Sequence, residues 1–447
     1  MSGKGQGTRV HYGWIIIFTG MLAAVAAHGF GRMSYTLILP EMRDGLGITY
    51  TQAGLLATGN LVGYLVFAVI GGFLASRYGA RRIISLSLLL MGICMLLTGI
   101  ANSFEWAFSM RLLTGLGNGG AYVPAMALGS IWFTMRRRGF ATGIVSGGIG
   151  VGTFLGGLIV PRILLTYGAD GWRYSWYYLG GAVLFIALLA YLLLRDRPQD
   201  LGLEQVGAST KVNSAGDQNP TPPQRPSSSG STPTSSGTAG KKPPPNLQWG
   251  LIYRVKEVWY LGLVYLAYGF SYVIYMTFFK AFLSDEIGLN VVLVGYLWAL
   301  AGGLSAFCGV IWGGLSDRLG RKRGAALAYL TLALSYLLFA LFDTLPAFYL
   351  SVFLFGLSAW SIPTIMAAAA GDYVGPQLAP AGLGFITLFF GIGQALGPYV
   401  GGYLKDLTGS FVLPFILATA VSVAGMVGSL LLKKPATEVP SEIRGNR

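Results

Sequence analysis

The chain has 447 residues, of which 53% are hydrophobic and only 11% charged, against about 25% charged in ordinary soluble proteins. That balance excludes a soluble globular fold, and the long unalternating apolar runs exclude a barrel of short strands. The net charge of +14 is explained by membrane loops before any nucleic acid, and the two cysteines, Cys94 and Cys308, sit in apolar runs and indicate neither a disulfide nor a metal framework.

About 20 consecutive apolar residues cross a bilayer core as a helix. The first such run, 13–39, is too long for a signal-peptide core and lacks a small-residue cleavage site, so it reads as a mature helix. It contains Arg32 with no acidic residue beside it in the run, and His28 lies one turn earlier on the same face. A charge at such depth is costly and marks function by default; an unpaired cation points to handling of anions within the membrane. Eleven further spans follow at 51–74, 83–101, 105–133, 140–165, 175–194, 257–281, 291–315, 324–342, 347–370, 381–404 and 411–432. The predicted class is an all-α integral membrane protein of twelve transmembrane helices. Residues 201–250 are too rich in Pro, Ser, Gly and Thr to bury a core and read as a disordered linker. They divide the chain into two six-helix bundles, 1–200 and 251–447.

Basic residues orient these spans. Arg77, Arg81 and Arg82, then Arg136, Arg137 and Arg138, then Arg318, Arg321, Lys322 and Arg323, and finally Lys433 and Lys434 all follow even-numbered spans. The positive-inside rule places these loops, both termini and the linker in the cytoplasm, in a cell (plasma or inner) membrane. The halves also resemble each other. Gly29-Phe30 matches Gly269-Phe270 and Tyr35 matches Tyr275 at an offset of 240. Gly54 matches Gly295, Gly117 matches Gly356 and Pro124 matches Pro363 at offsets within one residue of that. Internal duplication of this kind is a transporter signature, with the substrate near the midplane between repeats.

The loop after span eight reads Gly313-Gly314-Leu315-Ser316-Asp317-Arg318-Leu319-Gly320-Arg321-Lys322-Arg323. It closely resembles the loop signature of the major facilitator superfamily. The resemblance covers the chain apart from the linker, and implies two six-helix bundles working by alternating access. The copy after span two carries Gly72, Ser76, Arg77 and Arg81, with Ser76 where the pattern has an acid. A conformational latch would therefore rest on Gly314, Asp317, Arg318 and Arg321 more than on the first copy. Within the superfamily, 29–40, 60–65 and 391–398 are most similar to the YbfB/YjiJ-type group, and Arg138–Ile144 with Asp196-Arg197-Pro198 resembles oxalate/formate and monocarboxylate carriers more distantly. Those carriers typically use a basic residue in span eight, and the oxalate carriers also a Lys in span eleven. Here 291–316 carries no charge and span eleven has Gln394.

In this superfamily spans one, four, seven and ten line the cavity. Arg32 lies 7 residues from the end of its run and Arg111 6 residues into span four, so each is about 10 Å deep at 1.5 Å per residue. A guanidinium fork suits a carboxylate. Arg111 equally fits a structural role, and either side chain can satisfy backbone carbonyls or snorkel. Tyr35, Asn118, Tyr122, Tyr272, Tyr275, Trp360 and Gln394 are candidates for shaping a substrate pocket; each also fits ordinary helix packing. His28 is the candidate proton carrier, since no Asp or Glu lies at mid-membrane. Lys280, at the outer end of span seven, reads as a snorkelling interface residue.

Gly115, Gly117 and Gly120 match G-x-G-x-x-G, but inside an apolar helix, which is the wrong context for a nucleotide. With no catalytic constellation the chain is not expected to be an enzyme, to need a cofactor or metal, or to bind nucleic acid. The expected function is secondary active transport of a small organic anion such as a monocarboxylate, by proton symport or exchange for a counter-solute, for which a monomer in the bilayer suffices. The alternatives are an efflux carrier for amphipathic compounds and a non-transporting sensor on the same fold.

Overall fold

The computed structural model describes residues 11–134, 136–208, 253, 255–374 and 378–432. Lys433 and Lys434 and most of the expected linker, 209–250, lie outside the described residues. Ten stretches are long and apolar enough to cross a membrane. One of them, Arg138–Leu193, contains two helices parted by a turn at Gly168–Asp170, and Phe104–Trp132 is a further 29-residue helix. The long described helices, consistent with the expected twelve, are α1 Tyr12–Leu46, α2 Tyr50–Tyr78, α3 Ala80–Gly99, α4 Phe104–Trp132, α5 Arg138–Tyr167, α6 Gly171–Leu193, α7 Lys256–Glu286, α8 Val291–Leu319, α9 Arg321–Leu341, α10 Leu345–Val374, α11 Ala379–Thr408 and α12 Val412–Leu431.

Three helix starts at the end away from the Arg-rich loops, those of α2, α4 and α8, are capped by side chains. Thr49 and Gln52 form a reciprocal capping box on α2, Ser103 accepts from the N–H of Trp106 on α4, and Asn290 accepts from that of Val292 on α8. The span expected to stop at Leu39 runs on to Leu46, where Gly47 caps it with φ 62°. The extension is polar but not solvated as a free loop. Glu41 and Arg43 find partners on α7, so the helix continues past its apolar run. Arg32 is therefore 14 residues from the end of α1, about 21 Å rather than 10 Å.

The duplication read from sequence reappears as paired contacts. At Gly29 a Cβ would strike the backbone of Gly152 on α5, and at Gly269 it would strike Phe390 on α11. Gly54 on α2 abuts the carbonyl of Pro398 on α11, while Gly295 on α8 abuts Gly157 and Pro161 on α5. The first two contacts lie within the halves and the last two join them. Exchanging one half for the other maps each contact onto its mate, and absence of side chains is what lets these backbones meet.

The Arg-rich loops share one end of the molecule, here the basic end; the opposite end is the far end. At the basic end Arg321 binds Asp372 at 3.0 Å and also Asp317, all within the C-terminal half. In the first copy the Ser76 hydroxyl donates back to the Phe73 carbonyl of its own helix. Its missing acid is replaced by Asp196, which accepts from the Arg81 N–H at 2.8 Å, while the Arg81 side chain reaches the Tyr191 carbonyl at 2.7 Å. Each loop motif is thus tied within its own half. The stretch expected as linker begins anchored: Val206 pairs with Phe133 and exchanges backbone bonds with Trp132 and Thr134.

Candidate functional site

The central helix of the site is irregular where its charges sit. Val25–Met33 of α1 winds as a π-helix that carries both His28 and Arg32, and such wide turns are frequent at functional sites. Side chains satisfy carbonyls of this segment. Arg111 Nη1 donates to the Gly31 carbonyl at 2.8 Å and Ser34 Oγ donates to that of Gly29 at 3.1 Å.

Arg32 points from α1 towards the other half. Its Nη2 donates to the Tyr272 hydroxyl on α7 at 2.6 Å, and Gln394 Nε2 on α11 donates to the same oxygen. With two donors on its oxygen, the phenol proton of Tyr272 is free for a ligand. Tyr272 is held by stacking on Tyr268 at 4.6 Å and by the edge of Trp360 at 6.0 Å. Among the described residues no carboxylate forms an ion pair with Arg32. His28 sits 4.1 Å from the Tyr122 ring and 5.4 Å from that of Tyr64, and its Nδ1 has no protein partner among the described residues.

These groups line a cavity of about 360 Å³ between the halves. Of the residues predicted for the site, the structure brings His28, Arg32, Tyr122, Tyr272 and Trp360 together on its wall. Gln394 stands behind the wall and acts on it through Tyr272. Arg111 does not line the cavity: it is buried, its guanidinium 4.6 Å from the Tyr35 ring and 5.1 Å from that of Trp176. Tyr35 lies in the same slot and gives its hydroxyl to the Ala53 carbonyl. Asn118 is fully buried on α4, its amide unpartnered among the described residues. Tyr275 packs among Phe279, Phe339 and Phe355 with its hydroxyl 3.0 Å from Ser351 Oγ.

Sequence reasoning missed Tyr64, Tyr265, Phe390, Ser146, Ser305 and Thr364, the other aromatic and hydroxyl residues on the wall. Tyr265 was within reach, being two helical turns before Tyr272 on one face. Tyr64, Ser146, Ser305 and Thr364 come from α2, α5, α8 and α10, and their phase towards the cavity depends on helix rotation that one sequence does not encode.

The lining residues of α4, α5, α7, α8, α10 and α11 come from the middle and the basic-end halves of their helices. The far end is closed by bonds between the halves. Lys280, buried on α7, gives its ammonium to Glu41 and to the Leu37 carbonyl on α1. Asp285 of α7 accepts from the Tyr50 hydroxyl, and Asp406 of α11 accepts from the N–H groups of Tyr50 and Thr51 at the start of α2. Lys280 is therefore not the lipid-interface residue its position suggested; the acid that buries it comes from the extension of α1.

Comparison with known proteins gives a consistent picture. The model of the Major Facilitator Superfamily matches residues 21–362 and 261–446. The probable sulfoacetate transporter SauU of Cupriavidus necator is 26% identical, with 93% of each chain covered. The hexuronate transporter of Bacillus subtilis is 23% identical, with 92% of each covered. Among solved structures, the bacterial homologue of the human lysosomal transporter Spinster, in an inward-facing and unoccupied conformation, superposes with a TM-score of 0.69 at 17% identity, covering 95% of this chain and 96% of that one.

Proposed function

The chain belongs to the major facilitator superfamily, a family of membrane transporters rather than enzymes, and from that premise we propose that it carries small organic anions across the cell membrane by alternating access. The observation that carries this reading is Arg32: a cation near the middle of its span, on the wall of a cavity between the halves, bonded to a phenol and, among the described residues, to no carboxylate. The anionic group of the substrate takes the place of the missing carboxylate, with two guanidinium N–H groups in parallel and the Tyr272 hydroxyl as a third donor. The names of the relatives, a sulfoacetate transporter and a hexuronate transporter, support an organic acid as cargo.

With the Arg-rich loops on the cytoplasmic side, the cavity faces the cytoplasm and the Lys280–Glu41 seal lies outside. This is the inward-facing state; the outward-facing one requires that seal to part and the basic ends to close. A proton accompanies the anion on His28, which sits one turn from Arg32 with its Nδ1 unpartnered among the described residues. The groups facing it are Arg32 on its own helix, Tyr64 on α2 and Tyr122 on α4.

The test is uptake of labelled small carboxylates into proteoliposomes with and without an inward proton gradient. Saturable uptake, accelerated by the gradient in the wild type and indifferent to it in His28→Gln, is expected. Uptake of no organic acid by folded protein would refute the anion reading, and equal gradient dependence in both proteins would refute the role of His28.

A further inference from the structure

We infer that this cavity selects a singly charged organic acid and turns away the corresponding dianion. The inference rests on the proposed anion reading and goes beyond it by fixing the charge of the cargo.

The argument is an inventory of charge. Among the described residues on the wall, Arg32 is the one Lys or Arg, and there is no Asp or Glu. The next guanidinium, Arg111, is off the wall, committed to the Gly31 carbonyl and wedged between Tyr35 and Trp176. The ammonium of Lys280 is committed to Glu41 and Leu37 at the far end. His28, also on the wall and beside Arg32, bears charge only when it carries the co-transported proton, so with His28 neutral a second carboxylate bound away from Arg32 meets no second cation.

What it meets is aromatic. Tyr64, Tyr122, Tyr265, Trp360 and Phe390 surround the space, and π faces carry negative potential. The other polar groups are the imidazole of His28, beside Arg32, and the neutral hydroxyls of Ser146, Ser305 and Thr364. Hydroxyls and ring edges suit a neutral hydroxyl, carbonyl or ester at the far end of the ligand. They do not replace the water lost by a full negative charge when the cavity occludes. At about 360 Å³ the space is at the small end of ligand pockets, roughly 300–1,000 Å³, so a second charge has little room to stay in bulk water.

Charge number is tested apart from shape with acids and their monomethyl esters. Binding of succinate, tartrate and phthalate, each against its monoester, is measured on the purified protein by calorimetry at about pH 8, where imidazole is neutral. We expect the monoester to bind more than about tenfold tighter than the diacid, a difference of about 1.4 kcal/mol. Thr364→Lys, which places a second cation on the wall, should erase or reverse that order. Ser146→Lys serves the same purpose if Thr364→Lys loses thermal stability. Equal or tighter binding of the diacids by wild type overturns the inference, and if Arg32→Gln then abolishes that binding the anion reading still stands. Binding of no member of any pair overturns both.

Discussion

Replacing Lys280 by Met should open the far end. In the structure the ammonium is 1% exposed, and its acceptors, Glu41 and the Leu37 carbonyl at 2.7 Å, all lie on α1 in the opposite half. The bond therefore exists only while the halves are closed there, so its whole value biases one conformation. Removing one partner of a fully buried ion pair costs about 3–5 kcal/mol. The Glu41 carboxylate is 25% exposed and recovers part of its hydration, which reduces the figure to about 1–3 kcal/mol. That is a shift of roughly 5- to 150-fold towards the outward-facing state. Spin labels on Cys replacing Glu105 and Asp343, exposed far-end positions in the two halves, report the change as a longer distance by double electron–electron resonance. Cys94 and Cys308 are buried and give little background labelling. An unchanged distance distribution in a folded Lys280→Met protein would refute the claim that this pair holds the far end shut.

Three further changes probe the site and its supports. Tyr272→Phe removes the oxygen shared by Arg32 and Gln394; a hydrogen bond to a charged group is worth about 1.5–3 kcal/mol, so KM for the transported acid should rise at least about tenfold, measured by uptake. Arg111→Met leaves the Gly31 carbonyl without its donor and should cost about 1–3 kcal/mol of stability, read by thermal unfolding; Arg111→Lys keeps the charge but loses the flat stack between rings and should fall between. Gly295→Leu puts a side chain where a Cβ alone already meets the Gly157 carbonyl oxygen at 2.5 Å, so the spin-label distance at the far end should lengthen as it does for Lys280→Met.

Much of the fold was legible because each span is a long apolar run, and its hydropathy does not depend on neighbours. The pairing of halves was legible too, since Gly29 with Gly269 and Gly54 with Gly295 mark close backbone contacts that only glycine permits. What sequence concealed were partners distant in the chain. The end of α1 was set too early because Glu41 and Arg43 look like a loop until α7 supplies Lys280 and Asp285. For the same reason Lys280 looked like an interface residue. In the first loop motif Ser76 looked like a loss, whereas Asp196, 120 residues later, takes up the backbone of Arg81. In the site, Arg32 was legible because an uncompensated charge in an apolar run has few structural explanations. Arg111 carried the same signal with another outcome, since a carbonyl freed in the π segment and two aromatic rings absorb it. The π-helix itself leaves no periodicity signal in so apolar a sequence.

The central claim is that Arg32 holds the anionic group of the cargo. It is tested most directly by uptake of the best-transported labelled acid in proteoliposomes containing wild type, Arg32→Gln or Arg32→Lys, with thermal unfolding verifying that all three are folded. The account predicts saturable uptake by wild type, none above background for Arg32→Gln, and a raised KM for Arg32→Lys, which keeps the charge without the fork. Uptake by folded Arg32→Gln with an unaltered KM would contradict it.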